Sequence, residues 1–367
     1  LYDNELKAIH KSNRHRKREV FDENLHDLAS NDYLGFATNK TLFTNAYEKV
    51  LKEKYHAPKA SMLVNGYSKI HKEFEDKLKT VNNFEDAIIL GSGFMANLAM
   101  IEALVRKGDI LFIDEQYHAS GMLATKLLKE SQVVLFKHND VKDLKEKIAL
   151  APRKKSSRLI IAIEGVYSME GDIAPEEIFH IADEFKALLL VDEAHSSGVI
   201  GNNLMGIFDY YNIRPKENHV KMGTLGKAYG SYGAYILASK EIIDFLSNRA
   251  KSIIYTTAPS LFDTALGLES LNYILENTSS IKQKIQNHLK IIEEELGIHA
   301  QSLIIPISIN DNKKVIQIQA ELKEKGFLVG AIRQPTVSSA IIRLIAKIDI
   351  DSKLLREVCK HLKEYLS

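Results

Sequence analysis

The chain has no tryptophan and one cysteine, Cys359, among its 367 residues. A lone thiol cannot close an intramolecular disulfide or furnish a cysteine-rich metal site, and this usage fits a reducing compartment, so a cytoplasmic location is expected. A surplus of charge is also missing: 49 Lys and Arg stand against 48 Asp and Glu, a formal net charge of +1. That balance argues against a protein that relies on a global field to hold nucleic acid or an acidic membrane surface. No apolar run reaches transmembrane length, and the amino-terminal stretch is polar where a signal peptide would have an apolar middle. Repeats and low-complexity linkers are absent. What remains is a long, mixed chain, 45% hydrophobic, with enough residues for one large domain and a smaller one.

Short runs rich in Ile, Leu and Val recur at 88–90, 110–113, 133–136, 159–163 and 188–191, and they read as buried strands. Helix-period stretches lie between them, as at 94–105, where Leu98, Ile101, Leu104 and Val105 share a face. This alternation predicts an α/β fold, a doubly wound, mostly parallel sheet with crossover helices. Residues 220–222 and 232–238 can complete it, the latter as an antiparallel edge strand. From about residue 261 the pattern changes to long amphipathic helices and a few short strands, a smaller α+β domain. The expected division is residues 1–37, an amino-terminal segment packed on the small domain; 38–260, the large domain; and 261–367, the small one.

Two segments carry the sharpest chemical signal. Leu188-Leu189-Leu190-Val191 ends in Asp192-Glu193-Ala194-His195, which sets a carboxylate at the carboxyl end of a strand, where open α/β sheets bind ligands. Further on, Gly223-Thr224-Leu225-Gly226-Lys227-Ala228 sets an amine in a small-residue turn. Pyridoxal phosphate uses both groups: its aldehyde condenses with a lysine, and its ring nitrogen stays protonated beside an anion. Gly91-Ser92-Gly93, between a strand-like run and a helix, suits a phosphate, although a tight turn needing glycine explains it equally well alone. His118 follows the strand at 110–113 and can stack on a flat ring. Glu164 to Asp172 reads as a polar binding loop or a solvated turn. Asp192, Glu193 and His195 are also compatible with a bound cation or with the acidic end of a nucleotide-hydrolase strand, but the Gly-x-x-x-x-Gly-Lys-Ser/Thr loop is missing.

Taken in order, these residues resemble the α-oxoamine synthases, a family of fold-type I pyridoxal phosphate enzymes. The likeness runs nearly end to end, through Ser30-Asn31-Asp32-Tyr33-Leu34-Gly35, Gly91 to Asn97, His118-Ala119-Ser120, His138-Asn139-Asp140-Val141, Glu164 to Asp172, Val191 to Gly201, Gly223 to Ala228 and Ala331 to Val337. The resemblance implies a fold-type I transferase with pyridoxal 5'-phosphate bound through Lys227. Asp192 then pairs with the ring nitrogen, His195 meets the phenolic oxygen, and His118 covers the ring. Gly93, Phe94 and Thr224 hold the phosphate, joined by Thr257 of a second subunit in a homodimer with shared sites, while Ser168, Asn31 and Thr336 match further pocket positions.

The implied reaction is a decarboxylative condensation. L-Alanine with pimeloyl-CoA or pimeloyl-acyl carrier protein, a step toward biotin, is the substrate pair favoured by the matches at 138–141 and 331–337. Relatives that make 2-amino-3-ketobutyrate, 5-aminolevulinate or the sphingolipid base precursor share the cofactor chemistry, and a catalytically silent partner subunit is the alternative from another class.

Two segments depart from the family pattern. The family has an Arg-x-Arg after Pro-Thr-Val, and its second arginine grips the amino-acid carboxylate; here ungapped counting gives Ile345, whereas a two-residue loop deletion brings Arg343 into register. Arg343 is therefore the expected carboxylate ligand, with a structural ion pair as its alternative role. The second departure is Ala60 to Gly66, poorer in glycine than in relatives. The basic run Arg14, Arg16, Arg18 is either solvated surface or a contact for the distal acyl group or its carrier, with Arg16 the expected substrate residue.

Overall fold

The computed structural model describes residues 1–12, 14–152 and 157–365. They fall into two compact units, one of residues 32–168 and 172–284 and the other of residues 1–31, 169–171 and 285–367. The division differs from the expected boundary at 260. Helix Leu261–Glu276, capped by Ser260, buries Leu261 and Ala265 against Ala46, Val50 and Ile70 of the larger unit's own helices. Burial of the Leu261 side chain alone stabilises the docking by roughly 1.5–3 kcal/mol. The amphipathic pattern after 261 therefore marks a change of secondary structure before it marks a change of unit.

The larger unit is built on seven strands: β2 (Asp86–Leu90), β3 (Ile110–Asp114), β4 (Val133–Phe136), β5 (Leu159–Glu164), β6 (Leu188–Asp192), β7 (His219–Thr224) and β8 (Ala234–Ala238), in the order β2-β8-β7-β6-β5-β3-β4. Strands β4, β3, β5, β6 and β7 pair in parallel. Strand β5 is buried along its whole length, which is why Leu159 to Ile163 form a continuous apolar run and not an alternating one. Two sequence expectations are corrected. Strand β8 is antiparallel but not an edge; it is inserted between β2 and β7. The run at 133–136 is an edge strand and not a buried one, with Leu135 exposed. Helix Gly93–Leu104 is apolar around most of its circumference because it is covered on several sides, with Ala96, Met100 and Ile101 in the same cluster as Ile160, Leu190 and Met222 of the sheet.

The smaller unit carries β1 (His26–Leu28), β9 (Ile304–Ser308), β10 (Phe327–Ile332) and β11 (Ile341–Ile345) in the order β1-β10-β11-β9. Residues 1–31 belong here because β1 runs parallel to β10, with His26 opposite Phe327. Helix Ser352–Lys363 buries Leu355, Val358, Cys359 and Leu362, the i, i+3, i+4, i+7 spacing of a single apolar stripe. The one thiol thus sits in the core, and burial pushes it up to about 12. Gly171 illustrates a position only glycine can fill: its φ is +71°, and a Cβ there would stand 2.3 Å from the Ile304 carbonyl oxygen. No helix among the described residues is long and apolar enough to cross a membrane.

Candidate active site

Parallel strands in register deliver their carboxyl ends to one edge, and here that edge carries the chemistry. Glu164 at the end of β5 lies opposite Asp192 at the end of β6, which lies opposite Met222 near the end of β7. The connection from β7 to antiparallel β8 is a tight one, closed by the Gly230 N–H on the Lys227 carbonyl (2.9 Å) and the Ser231 N–H on the Leu225 carbonyl (2.9 Å). That return turns Lys227 over the strand ends. The turn after β6, with the Ser196 and Ser197 N–H groups on the Glu193 carbonyl, brings His195 to the same place.

These segments enclose a cavity of about 180 Å³ lined by Gly93, Phe94, Asn97, His118, Ser120, Glu164, Asp192, Ala194, His195, Met222, Thr224 and Lys227. Lys227 Nζ is 2.7 Å from His195 Nε2. On its other side the imidazole is tied through Nδ1 to the Tyr33 hydroxyl at 2.5 Å, so Tyr33, His195 and Lys227 form one hydrogen-bonded chain. Asp192 is buried and accepts on both oxygens, from Asn97 Nδ2 at 2.7 Å and from the Ala194 N–H at 2.9 Å. Asn97 is itself fixed by donating to Ser120 Oγ (2.9 Å) and accepting from the Tyr117 hydroxyl (2.6 Å). Two donors on a buried carboxylate fix its direction.

His118 stands at the cavity mouth, exposed on one side, with Nδ1 2.7 Å from Ser120 Oγ. Burial of the ring is the main cause that holds it below the ordinary imidazole range; Asp192 opposes this and Lys227 adds to it. A neutral, flat ring results. At the opposite end the helix beginning at Gly93 is capped by Ser92 Oγ, which accepts from the Met95 N–H, leaving the first-turn amides of Gly93 and Phe94 at the cavity with the hydroxyl of Thr224. Amides at a helix start with a hydroxyl beside them suit an anion.

Sequence reasoning missed Asn97, Tyr33 and Glu164 as site residues. Asn97 was findable, since it lies one helical turn after Gly93 and so shares its face. Glu164 carried the same signal as Asp192, an acid closing an apolar strand. Tyr33 lies in the matched segment Ser30 to Gly35, but only the tertiary fold brings residue 33 to residue 195. Ser168, buried after β5, and Thr257, exposed beyond helix Lys251–Ile254, do not line the cavity. Glu193 turns inward to Ser196 Oγ, the Ile207 N–H (2.7 Å) and Lys221 (3.4 Å). It therefore does not join Asp192 and His195 in a cation site, and no group of three metal-ligating side chains converges among the described residues.

Next to the cavity's strands, His138 is clamped between Asp114 (3.1 Å) and Asp172 (2.9 Å) and edges onto Tyr167. Burial pulls its imidazole down, but the two aspartates outweigh it and push it up to about 10.

In the smaller unit Arg343 is buried within β11, and its Nη1 donates to Asn31 Oδ1 at 3.0 Å. Arg16 Nη2 is 3.3 Å from Thr336 Oγ1, and both line a recess with Arg14 and Arg333. Arg343 pairs in register with Gly330 of β10, so its place is fixed by the sheet.

The family model for aminotransferase class I and II matches residues 23–362, and the chain belongs to that family. A protein of Helicobacter pylori strain J99 named 8-amino-7-oxononanoate synthase is 46% identical over 366 residues, covering 100% of this chain and 97% of the relative. One of the same name from Thermosipho melanesiensis is 35% identical, covering 87% and 82%. Within the larger family, the chain belongs with the 8-amino-7-oxononanoate synthases. Among solved structures, the enzyme of that name from Francisella tularensis matches at 26% identity and a TM-score of 0.75, covering 94% of this chain and 98% of its own. Serine palmitoyltransferase from S. paucimobilis shares the fold, with a TM-score of 0.88 at 21% identity, covering 99% and 97%.

Proposed function

We propose that this chain binds pyridoxal 5'-phosphate and joins L-alanine to a pimeloyl thioester, releasing carbon dioxide and the free thiol and forming 8-amino-7-oxononanoate for biotin synthesis. The observation that carries this reading is the meeting of Lys227, His195 and Asp192 in one cavity of a chain that is 46% identical along its length to proteins of that name. The residues fit the cofactor: an amine for its aldehyde, a doubly hydrogen-bonded carboxylate for its ring nitrogen, a flat imidazole for its face, and helix amides with a hydroxyl for its phosphate.

When bound, pyridoxal phosphate supplies an aldehyde for amines and a ring that accepts the electron pair released at the amino acid's α-carbon. Asp192 holds the ring nitrogen protonated, and Asn97 and the Ala194 N–H keep its carboxylate aimed. Lys227 Nζ takes the α-proton of alanine and returns a proton to the product carbon, which is general acid–base work by a positioned amine. His195 and Tyr33 orient that amine and offer it a path for protons. His118 covers the ring and excludes water from one face. His195, which lines the same cavity, would also meet the cofactor's phenolic oxygen.

Arg343, with Asn31, grips the alanine carboxylate, a contact that explains an arginine inside an apolar strand. Arg16 and Thr336 receive the acyl substrate, delivered as pimeloyl-CoA or pimeloyl-acyl carrier protein. The working form is a homodimer in which Thr257 of the second copy adds its hydroxyl to the phosphate. An exposed apolar stripe of Phe43, Tyr47 and Leu51, spaced i, i+4, i+8 on helix Lys40–Leu51, supports such an interface, because a soluble monomer seldom leaves so many large side chains aligned in water.

The test is a substrate panel: glycine, alanine and serine against acetyl, succinyl, palmitoyl and pimeloyl thioesters, with products weighed. Alanine with the pimeloyl thioester gives the dominant product; preference for any other pair contradicts the reading.

A further inference from the structure

The carboxyl end of β5 carries an acid that the roles above leave unused. Glu164 is 1% exposed, faces Asp192 across the β5–β6 pairing and lines the same cavity. The protein treats the two acids unequally. Asp192 receives a hydrogen bond on each oxygen. Among the described residues, Glu164 Oε1 has no hydrogen-bond partner, and the backbone N–H of His118 is what supports its carboxyl. Like charges on adjacent strands in a site shielded from water repel strongly, so one acid keeps a proton, and it is the acid whose anion is less well supported. A protonated carboxyl then has an O–H to donate, and the described residues offer Oε1 no acceptor.

We propose that Glu164 is a neutral carboxylic acid that donates its O–H into the cavity, leaving Asp192 as the floor's single anion and taking an oxygen of the bound cofactor as its acceptor. The groups facing it agree. Asp192 on β6 and Asp114 on β3 disfavour a further negative charge; Lys227 favours one; His118 is neutral; and Tyr117 and Tyr167 keep their protons. Burial first, and then the charge of Asp192, push Glu164 well above the usual carboxylate range. A buried donor without an acceptor is costly, so the site is incomplete until a ligand oxygen arrives. Glu164 is thus a positioning residue that sets both the charge of the floor and one contact to the ligand.

The identity of the acceptor rests on the cofactor reading, whereas the retained proton does not, and the test separates them. Infrared spectra of the wild-type protein at pH 9, with and without pyridoxal phosphate, are compared with those of Glu164→Gln. A protonated-carboxyl carbonyl band is expected in the wild type, shifted when pyridoxal phosphate is added and lost in the variant. In absorbance titrations with pyridoxal phosphate, Glu164→Leu weakens binding roughly tenfold, the loss of one buried hydrogen bond, and Glu164→Gln, a neutral donor, recovers most of it. Absence of the band in the wild type, wild-type affinity in Glu164→Leu, or equal weakness of the Gln and Leu variants overturns the proposal. If wild-type protein takes up no pyridoxal phosphate, the cofactor reading fails, and the infrared band alone decides the proton.

Discussion

Replacing Asn97 with alanine probes the support beneath the anion. Its amide donates to Asp192 Oδ2 at 2.7 Å and to Ser120 Oγ at 2.9 Å, and accepts from the Tyr117 hydroxyl at 2.6 Å. A hydrogen bond to a charged group contributes about 1.5–3 kcal/mol, and leaving buried polar partners unmatched costs about 1–3 kcal/mol more. Asn97→Ala is therefore expected to lower the unfolding free energy of the cofactor-free protein by about 2.5–6 kcal/mol. The carboxylate, no longer held in one direction, must be reordered when pyridoxal phosphate arrives, and a cost of about 1.4 kcal/mol there is a tenfold loss of affinity. Urea unfolding measures the first quantity and absorbance titration of the same preparation the second. Asn97→Asp, which sets a second carboxylate against Asp192, is expected to lose more affinity than the alanine variant. A variant that loses stability yet binds pyridoxal phosphate as tightly as wild type refutes the assignment of Asp192 and Asn97 to the ring nitrogen.

Three further outcomes are expected. Lys227→Ala folds, because its side chain is only half-buried in the β7–β8 connection, but does not turn over; normal rates remove Lys227 from the chemistry. Arg343→Leu weakens alanine more than the acyl thioester in steady-state kinetics, and unchanged alanine dependence makes the arginine a structural group. His138 is raised from 6.5 to about 10 on folding, so its contribution is complete below pH 6.5 and is lost as pH rises through 10. With solvent screening allowed for, that is about 2 kcal/mol, read as a fall in unfolding free energy between pH 7 and 10 that His138→Gln abolishes.

The strands were legible wherever burial on both faces made them continuous apolar runs, as in β5 and β6. Strand β4 has the same composition but only one neighbour, and its sequence does not say so. Strand β8 was misplaced for a related reason: residue composition reports burial, not which strands stand on either side. The boundary at 284 was hidden because it falls inside a continuous helix, Thr278–Leu296, where the sequence pattern does not change. Asp192 and Lys227 were readable because each breaks its local pattern, an acid after four aliphatics and a lysine among small residues. Their supports were harder to read: Tyr33 and Asn97 lie 162 and 95 residues from the groups they bond, and Glu164 shows its meaning only when paired across the sheet with Asp192.

The central claim is a covalent one and can be weighed directly. Protein loaded with pyridoxal phosphate is reduced with borohydride, digested and analysed by peptide mass. A pyridoxyl-phosphate mass on the peptide containing Lys227 is the expected result; a label on any other lysine, or none on that peptide, contradicts the account.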